Sequence, residues 1–239
     1  MLSGLYAAGS GLDAAYRAEQ VLAHDAANTE TAGFAALIPV QAPWRPAGVV
    51  ATGPGGATPL GRVPWGATGG TALDLAAGAP RMTQDPLAAA PVAPNTFFAV
   101  QTPGGIRYTR AGAFLRSATG TLITPDGFPV LNQTGRPLIV PPDTRAQADG
   151  SLVAPSGRVV GRLTLYALAA PRPAGQGLYA GAAVAVAGAR VLPGAVVSSN
   201  VSLSITTAEL IAEQRILQAD AQAAQAENTA AQQAETQVG

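Results

Sequence analysis

The sequence predicts an α+β chain in which N- and C-terminal helices pair as a coiled-coil-like arm. An antiparallel β domain is inserted between them, with extended Pro/Gly-rich connecting segments on either side. Three observations lead there. From Ser198 through Gln237 there is neither proline nor glycine, although the 239 residues hold 20 prolines and 28 glycines. Residues 2–27 carry apolar side chains mostly at helical spacing. Residues 96–168 alternate apolar and polar positions and are punctuated by turn sequences every 8–12 residues. The expected divisions are an N-terminal helical arm (1–33), a connecting arm (34–95), the β domain (96–168), a return segment (169–197) and a long C-terminal helix (198–239).

In the first helix Leu5, Ala8, Leu12, Ala15, Leu22 and Ala26 make one face. Gly4, Gly9 and Gly11 weaken its first turns, each by up to about 1 kcal/mol relative to alanine. A helix so weakened needs a partner. The cluster Asn28 to Gly33 ends it. Between residues 34 and 95, Gly53-Pro54-Gly55-Gly56, Pro64-Trp65-Gly66 and Gly69-Gly70 exclude a long helix and leave room only for short strands.

The β region opens with Phe97-Phe98-Ala99-Val100-Gln101 and runs on through Ile106 to Arg110. Its turns are Ala118-Thr119-Gly120, Pro125-Asp126-Gly127, Asn132 to Gly135, Asp149-Gly150 and Ser156-Gly157. Pro-Asp-Gly between apolar runs is a strong hairpin signal, because glycine supplies the positive φ the turn requires. A sandwich or small barrel follows. The return segment ends at Ser198-Ser199-Asn200, a helix N-cap cluster.

In the C-terminal helix Leu203, Leu210, Leu217, Ala224 and Ala231 recur every seven residues, the mark of packing along another helix. A second stripe runs Ile205, Ala212, Ile216, Ala219, Ala223, Ala226 and Ala230. Roughly 35 residues give about 50 Å of helix at 1.5 Å per residue, more than a compact domain of this size needs. The leucine stripe is expected to meet Leu5, Leu12 and Leu22. The alanine stripe, including Ala219, Ala223 and Ala226, is expected to meet neighbouring subunits.

Composition excludes several functions. Formal net charge is zero, with 14 basic residues, all arginine, and 14 acidic ones. No basic block marks a nucleic-acid footprint. There is no cysteine, and His24 is the single histidine, so neither a cysteine nor a two-histidine metal site can be built. Without lysine there is no Walker motif. Asp126 and Asp149 precede glycine, as turn aspartates do. No enzyme activity and no cofactor are expected. No stretch approaches the roughly 20 apolar residues of a membrane span, and the N-terminus has no basic leader. A membrane-surface role for the last helix is disfavoured, since Arg215 is its one basic residue.

The segment from His24 to Phe34, ending Ala27-Asn28-Thr29-Glu30-Thr31-Ala32-Gly33-Phe34, resembles the motif that ends the first helix of bacterial flagellar rod and hook proteins. His24, Asp25 and Ala26 stand where that pattern has two asparagines and a leucine. Phe97 to Gln101, Arg107 to Phe114 and Gly120 to Leu131 are similar to the family's central module. Val191-Leu192-Pro193-Gly194-Ala195 with Ser198-Ser199-Asn200-Val201 resembles its lead-in to the last helix. In length the chain fits the proximal-rod and distal-rod types; Ala35-Ala36-Leu37-Ile38, without the basic residues of the distal-rod pattern, and the start Leu5 to Gly11 make it most similar to the proximal-rod type, with the distal-rod type second.

The resemblance implies a structural subunit of the basal-body rod, in the periplasm-spanning part, exported through the flagellum's own channel without a cleaved signal peptide. The implied partners are copies of itself, other flagellar rod proteins and the export apparatus. Assembly residues are expected at Asn28, Thr31, Gly33, Phe34 and Asn200 and along Leu203, Leu210 and Leu217. The alternative from the residues alone is a secreted β-domain carbohydrate binder with a coiled-coil oligomerisation tail.

Overall fold

The computed structural model describes the backbone of residues 2–41, 47–53, 56–63, 68–76 and 78–238. Their contacts divide the chain into two units. The first comprises residues 1–26, 37–72 and 203–239. It holds the helices α1 (Leu2–Ala27) and α2 (Leu203–Val238) and the strands β1 (Leu37–Gln41), β2 (Ala47–Gly53), β3 (Gly56–Val63) and β4 (Thr68–Leu73). β1 pairs with β4, and β2 with β3 in an antiparallel hairpin. Proline is accepted in β1 (Pro39) and β3 (Pro59) because a two-stranded sheet consists only of edges.

The end of α1 is tied to β1 by a buried carboxylate. Both oxygens of Asp25 accept the Leu37 amide, at 3.2 and 2.9 Å. Burial pushes this carboxyl above its ordinary range. The Leu37 hydrogen bond and neighbouring His24 oppose the shift, and Glu209 adds to it.

The second unit comprises residues 27–36 and 73–202. Its strands are β5 (Pro80–Met82), β6 (Ala89–Pro91), β7 (Thr96–Thr102), β8 (Gly105–Thr109), β9 (Leu115–Arg116) and β10 (Leu122–Ile123). They continue with β11 (Arg145–Ala146), β12 (Ser151–Val153), β13 (Val159–Arg162), β14 (Leu165–Pro173), β15 (Leu178–Ala185), β16 (Val191–Pro193) and β17 (Ala195–Val197). β14, β15, β8 and β7 close into a small antiparallel barrel. The core lies under it: Phe98 meets Phe114 edge-on at 4.9 Å, among Val100, Leu122, Val130 and Leu152.

One turn type recurs between these strands. The amides of Gly120, Gly127, Gly135, Gly150 and Gly157 each donate to a carbonyl three residues back, and every one of these glycines has positive φ. In each case the residue that offers this carbonyl also donates its own amide to the residue after the glycine. This is the three-residue hairpin loop closed by a glycine bulge, and only glycine holds the left-handed position without strain.

The expected pairing of terminal helices into a coiled-coil-like arm is corrected by the structure. Among the described residues the chain is strand-rich, with two helices against seventeen strands, and no α1–α2 seam is present. Gln214 Nε2 donates to Glu19 Oε1 at 3.5 Å, a long contact between the helices. Leu12, Leu203, Ile205, Ile211 and Ile216 stay exposed. A seam needs side chains large enough to fill the holes of the facing helix. Past Leu217 the stripe is alanine, and α1 offers Gly4, Gly9 and Gly11 at its start.

Candidate functional site

A polar arrangement in the second unit gathers the segments by which the chain enters and leaves it. After α1 ends at Ala27, Thr31 donates its amide to the Asn28 carbonyl and its hydroxyl to Asn28 Oδ1, both at 3.1 Å. The Phe34 amide then bonds the Thr31 carbonyl at 3.2 Å, and the Phe34 ring is buried. Within this turn Gly33 takes φ +71° and donates to the Val197 carbonyl at 2.8 Å. A Cβ on Gly33 would lie 2.3 Å from the Ala111 amide nitrogen, so no other residue fits.

Tyr179 of β15 clamps the same turn. Its hydroxyl accepts the Ala35 amide at 2.8 Å and donates to the Gly33 carbonyl at 3.1 Å. The ring rests against Phe97, centroids 5.2 Å apart.

Asn200 closes the arrangement from the other end of the unit. Its Oδ1 accepts the Ala36 amide at 2.7 Å, and its Nδ2 donates to the carbonyls of Asp74 (3.1 Å) and Ala76 (3.3 Å). One side chain thus satisfies three backbone groups on two segments. Asn200 was expected in the cap of α2; its side chain is instead spent on residues 36, 74 and 76, and α2 begins at Leu203.

Beneath lies Arg110, 3% exposed. Its Nη1 donates to the carbonyls of Leu75 (3.2 Å) and Ala76 (3.4 Å), and the guanidinium stands 5.7 Å from the centre of the Phe97 ring. Burial lowers its pKa, with Tyr179 and Asp74 opposing. Its Nε is buried without a hydrogen-bond partner.

Among the expected assembly residues, Asn28, Thr31, Gly33, Phe34 and Asn200 therefore meet in one junction. The others do not come together. Leu22 is buried, Leu12 and Leu203 are exposed, Leu210 and Leu217 are half-buried, and Ala219, Ala223 and Ala226 face outward. Leu5 lies outside the residues whose side chains are described. Sequence reasoning missed Arg110, Tyr179 and Gly78, where a Cβ would lie 1.9 Å from the Ser198 carbonyl oxygen. Arg110 follows β8 within the Arg107 to Phe114 stretch, and Tyr179 lies in β15, inside the segment expected to be a return; no local signal marks either as part of a clamp.

The side chains of Tyr179 and Asn200 in this junction are spent on backbone hydrogen bonds that clamp its segments together. Among the described residues, no group of three or more His, Asp or Glu side chains could hold a metal ion, and no helix is long and apolar enough to cross a membrane. A mainly apolar cavity of about 360 Å³ in the first unit is lined by Val21, His24, Leu37, Val40, Thr71 and Glu213 among others.

Comparison with known proteins places this geometry. Residues 92–161 match the flagellar hook protein FlgE/F/G D1 domain. The chain is 32% identical over 169 residues to the flagellar basal-body rod protein FlgF of Mesorhizobium japonicum, covering 70% of this chain and 65% of that protein. It is 33% identical over 145 residues to FlgF of Rhizobium meliloti, covering 58% and 53%. A stretch of 55 residues is 44% identical to the rod protein FlgG of Bacillus subtilis, 23% of this chain and 21% of that one. The chain thus spans less than two thirds of the length of these relatives. The matched domain covers Phe97 of β7 and Arg110 and Ala111, which follow β8, and the chain is similar over most of its length to flagellar basal-body rod proteins named FlgF.

Proposed function

We propose that this protein is a structural subunit of the flagellar basal-body rod. It stacks with copies of itself and with other rod proteins into a helical tube that transmits torque and surrounds the export channel. The observation that carries this reading is the junction. The chain passes between the two units at residues 27, 36, 73 and 202. Just inside those points the Gly33–Val197, Tyr179–Ala35 and Asn200–Ala36 hydrogen bonds fasten the segments to one another. Bonds spanning several segments share a shear load, whereas a single flexible linker would not transmit it.

Export also suits the composition. With no cysteine, no disulfide can hold the chain against passage through a narrow channel. Alanine on α2 permits close backbone approach where many copies crowd around a tube. In this reading the terminal helices belong to the inner wall and the β module to the outer layer. The test is deletion of the coding gene in the source bacterium. Cells should lose rods and motility, and a plasmid copy should restore both. Rods of normal length in the deletion strain would overturn the reading.

A further inference from the structure

The neutral total hides a separation of charge. Residues 27–36 and 73–202 carry ten arginines and six carboxylates, a net +4; the remaining segments carry four arginines and eight carboxylates, a net −4. Most of that negative charge is on α2, which carries Glu209, Glu213, Asp220, Glu227 and Glu235 and one basic residue, Arg215. In the positive unit, local pairing is sparse. Among the described residues its one ion pair joins Arg162 to Asp149 at 2.7 Å.

Two other arginines of that unit, Arg116 and Arg158, line an open concavity of about 430 Å³ together with Ile139 and Val159. Arg116 is held in place, its Nε donating to the Val140 carbonyl at 2.8 Å. Ile139 is 67% and Val159 57% exposed. Branched apolar side chains left in water beside arginines, one of them positioned by a hydrogen bond, have the makeup of an interface. The first half of α2 supplies the complement. Ile205 and Ile216 are exposed and eleven residues apart, which is three turns and about 16 Å along one face. Glu209 lies between them on that face, and Glu213, which also lines the cavity beside His24 and Leu37, flanks it.

We propose that the Ile205–Ile216 face of α2 in one copy docks on the Arg116–Arg158 concavity of another copy. The apolar residues supply burial and the opposite charges set register and orientation. The contact is head-to-tail, joining two different faces, as an open helical array requires. It rests on the rod reading and names the surfaces that reading leaves open.

The native absence of cysteine gives a clean test. Val159→Cys and Ile216→Cys chains, co-expressed in the source bacterium, should yield a disulfide-linked dimer in purified basal bodies under mild oxidation. In the same cells Arg116→Glu/Arg158→Glu should cut incorporation into basal bodies about tenfold. Adding Glu209→Arg/Glu213→Arg should restore it, which also shows that the first variant folds. Incorporation without the cross-link overturns the docking and leaves the rod reading standing. A defect that the reciprocal charges do not restore overturns it in favour of another anionic occupant, such as a cell-wall polymer. Absence of the wild-type chain from basal bodies overturns both.

Discussion

A Cβ at Gly33 would meet the backbone of both Arg110 and Ala111, within 2.3 to 2.8 Å, and the residue's φ of +71° is already unfavourable for other side chains. Gly135 has a similar φ, +74°, with nothing within 4 Å of the position a Cβ would take. The pair separates strain from clash. Gly135→Ala should cost roughly 1–2 kcal/mol, the left-handed penalty alone. Gly33→Ala should cost about 3 kcal/mol or more, because backbone must move as well. Urea unfolding of the full chain measures both, and equal losses would mean the junction is not formed. The motif made Gly33 legible in the sequence, along with Asn28, Thr31, Phe34 and Asn200. It could not show that Asn200 bridges residues 36, 74 and 76, since that depends on segments more than a hundred residues distant.

Asp25 adds a pH-dependent residue. Its folded-state pKa lies above the usual 3.8, with burial the main cause. The folded chain therefore binds this proton more tightly than the unfolded chain does. Stability from this group is greatest below the unfolded value and falls as pH rises through the folded one. Asp25→Asn removes that dependence while leaving an oxygen for the Leu37 amide. Between pH 4 and pH 7 the wild type should lose stability relative to Asp25→Asn in chemical unfolding. A relative gain would contradict the burial of this carboxylate.

At the scale of elements, legibility followed how local the signal was. The five turn glycines of the β module could be read because a bulged hairpin demands glycine at one position, whatever surrounds it. The strands between residues 37 and 73 were obscured by proline and glycine, which usually argue against sheet. Two-stranded hairpins evade that rule, as every strand is an edge. α1 and α2 were legible as helices from their spacing, but their pairing was not, and it proved incorrect. A seven-residue repeat says that one face is apolar and leaves open what covers it. With Leu203, Ile205, Ile211 and Ile216 exposed in a single chain, that cover is not α1.

At the scale of the whole molecule, two properties fit a part built for repetition. Its charge is neutral in sum yet divided between the units, which favours association of unlike faces over like ones. Its β module is fastened at the points where the chain enters and leaves, so the module can bear load carried by the helices. The most direct test is a helical reconstruction of the rod purified from the source bacterium. The account predicts α2 at the channel wall and residues 73–202 outside it, once per subunit. A rod without this chain, or one with the β module lining the channel, would contradict it.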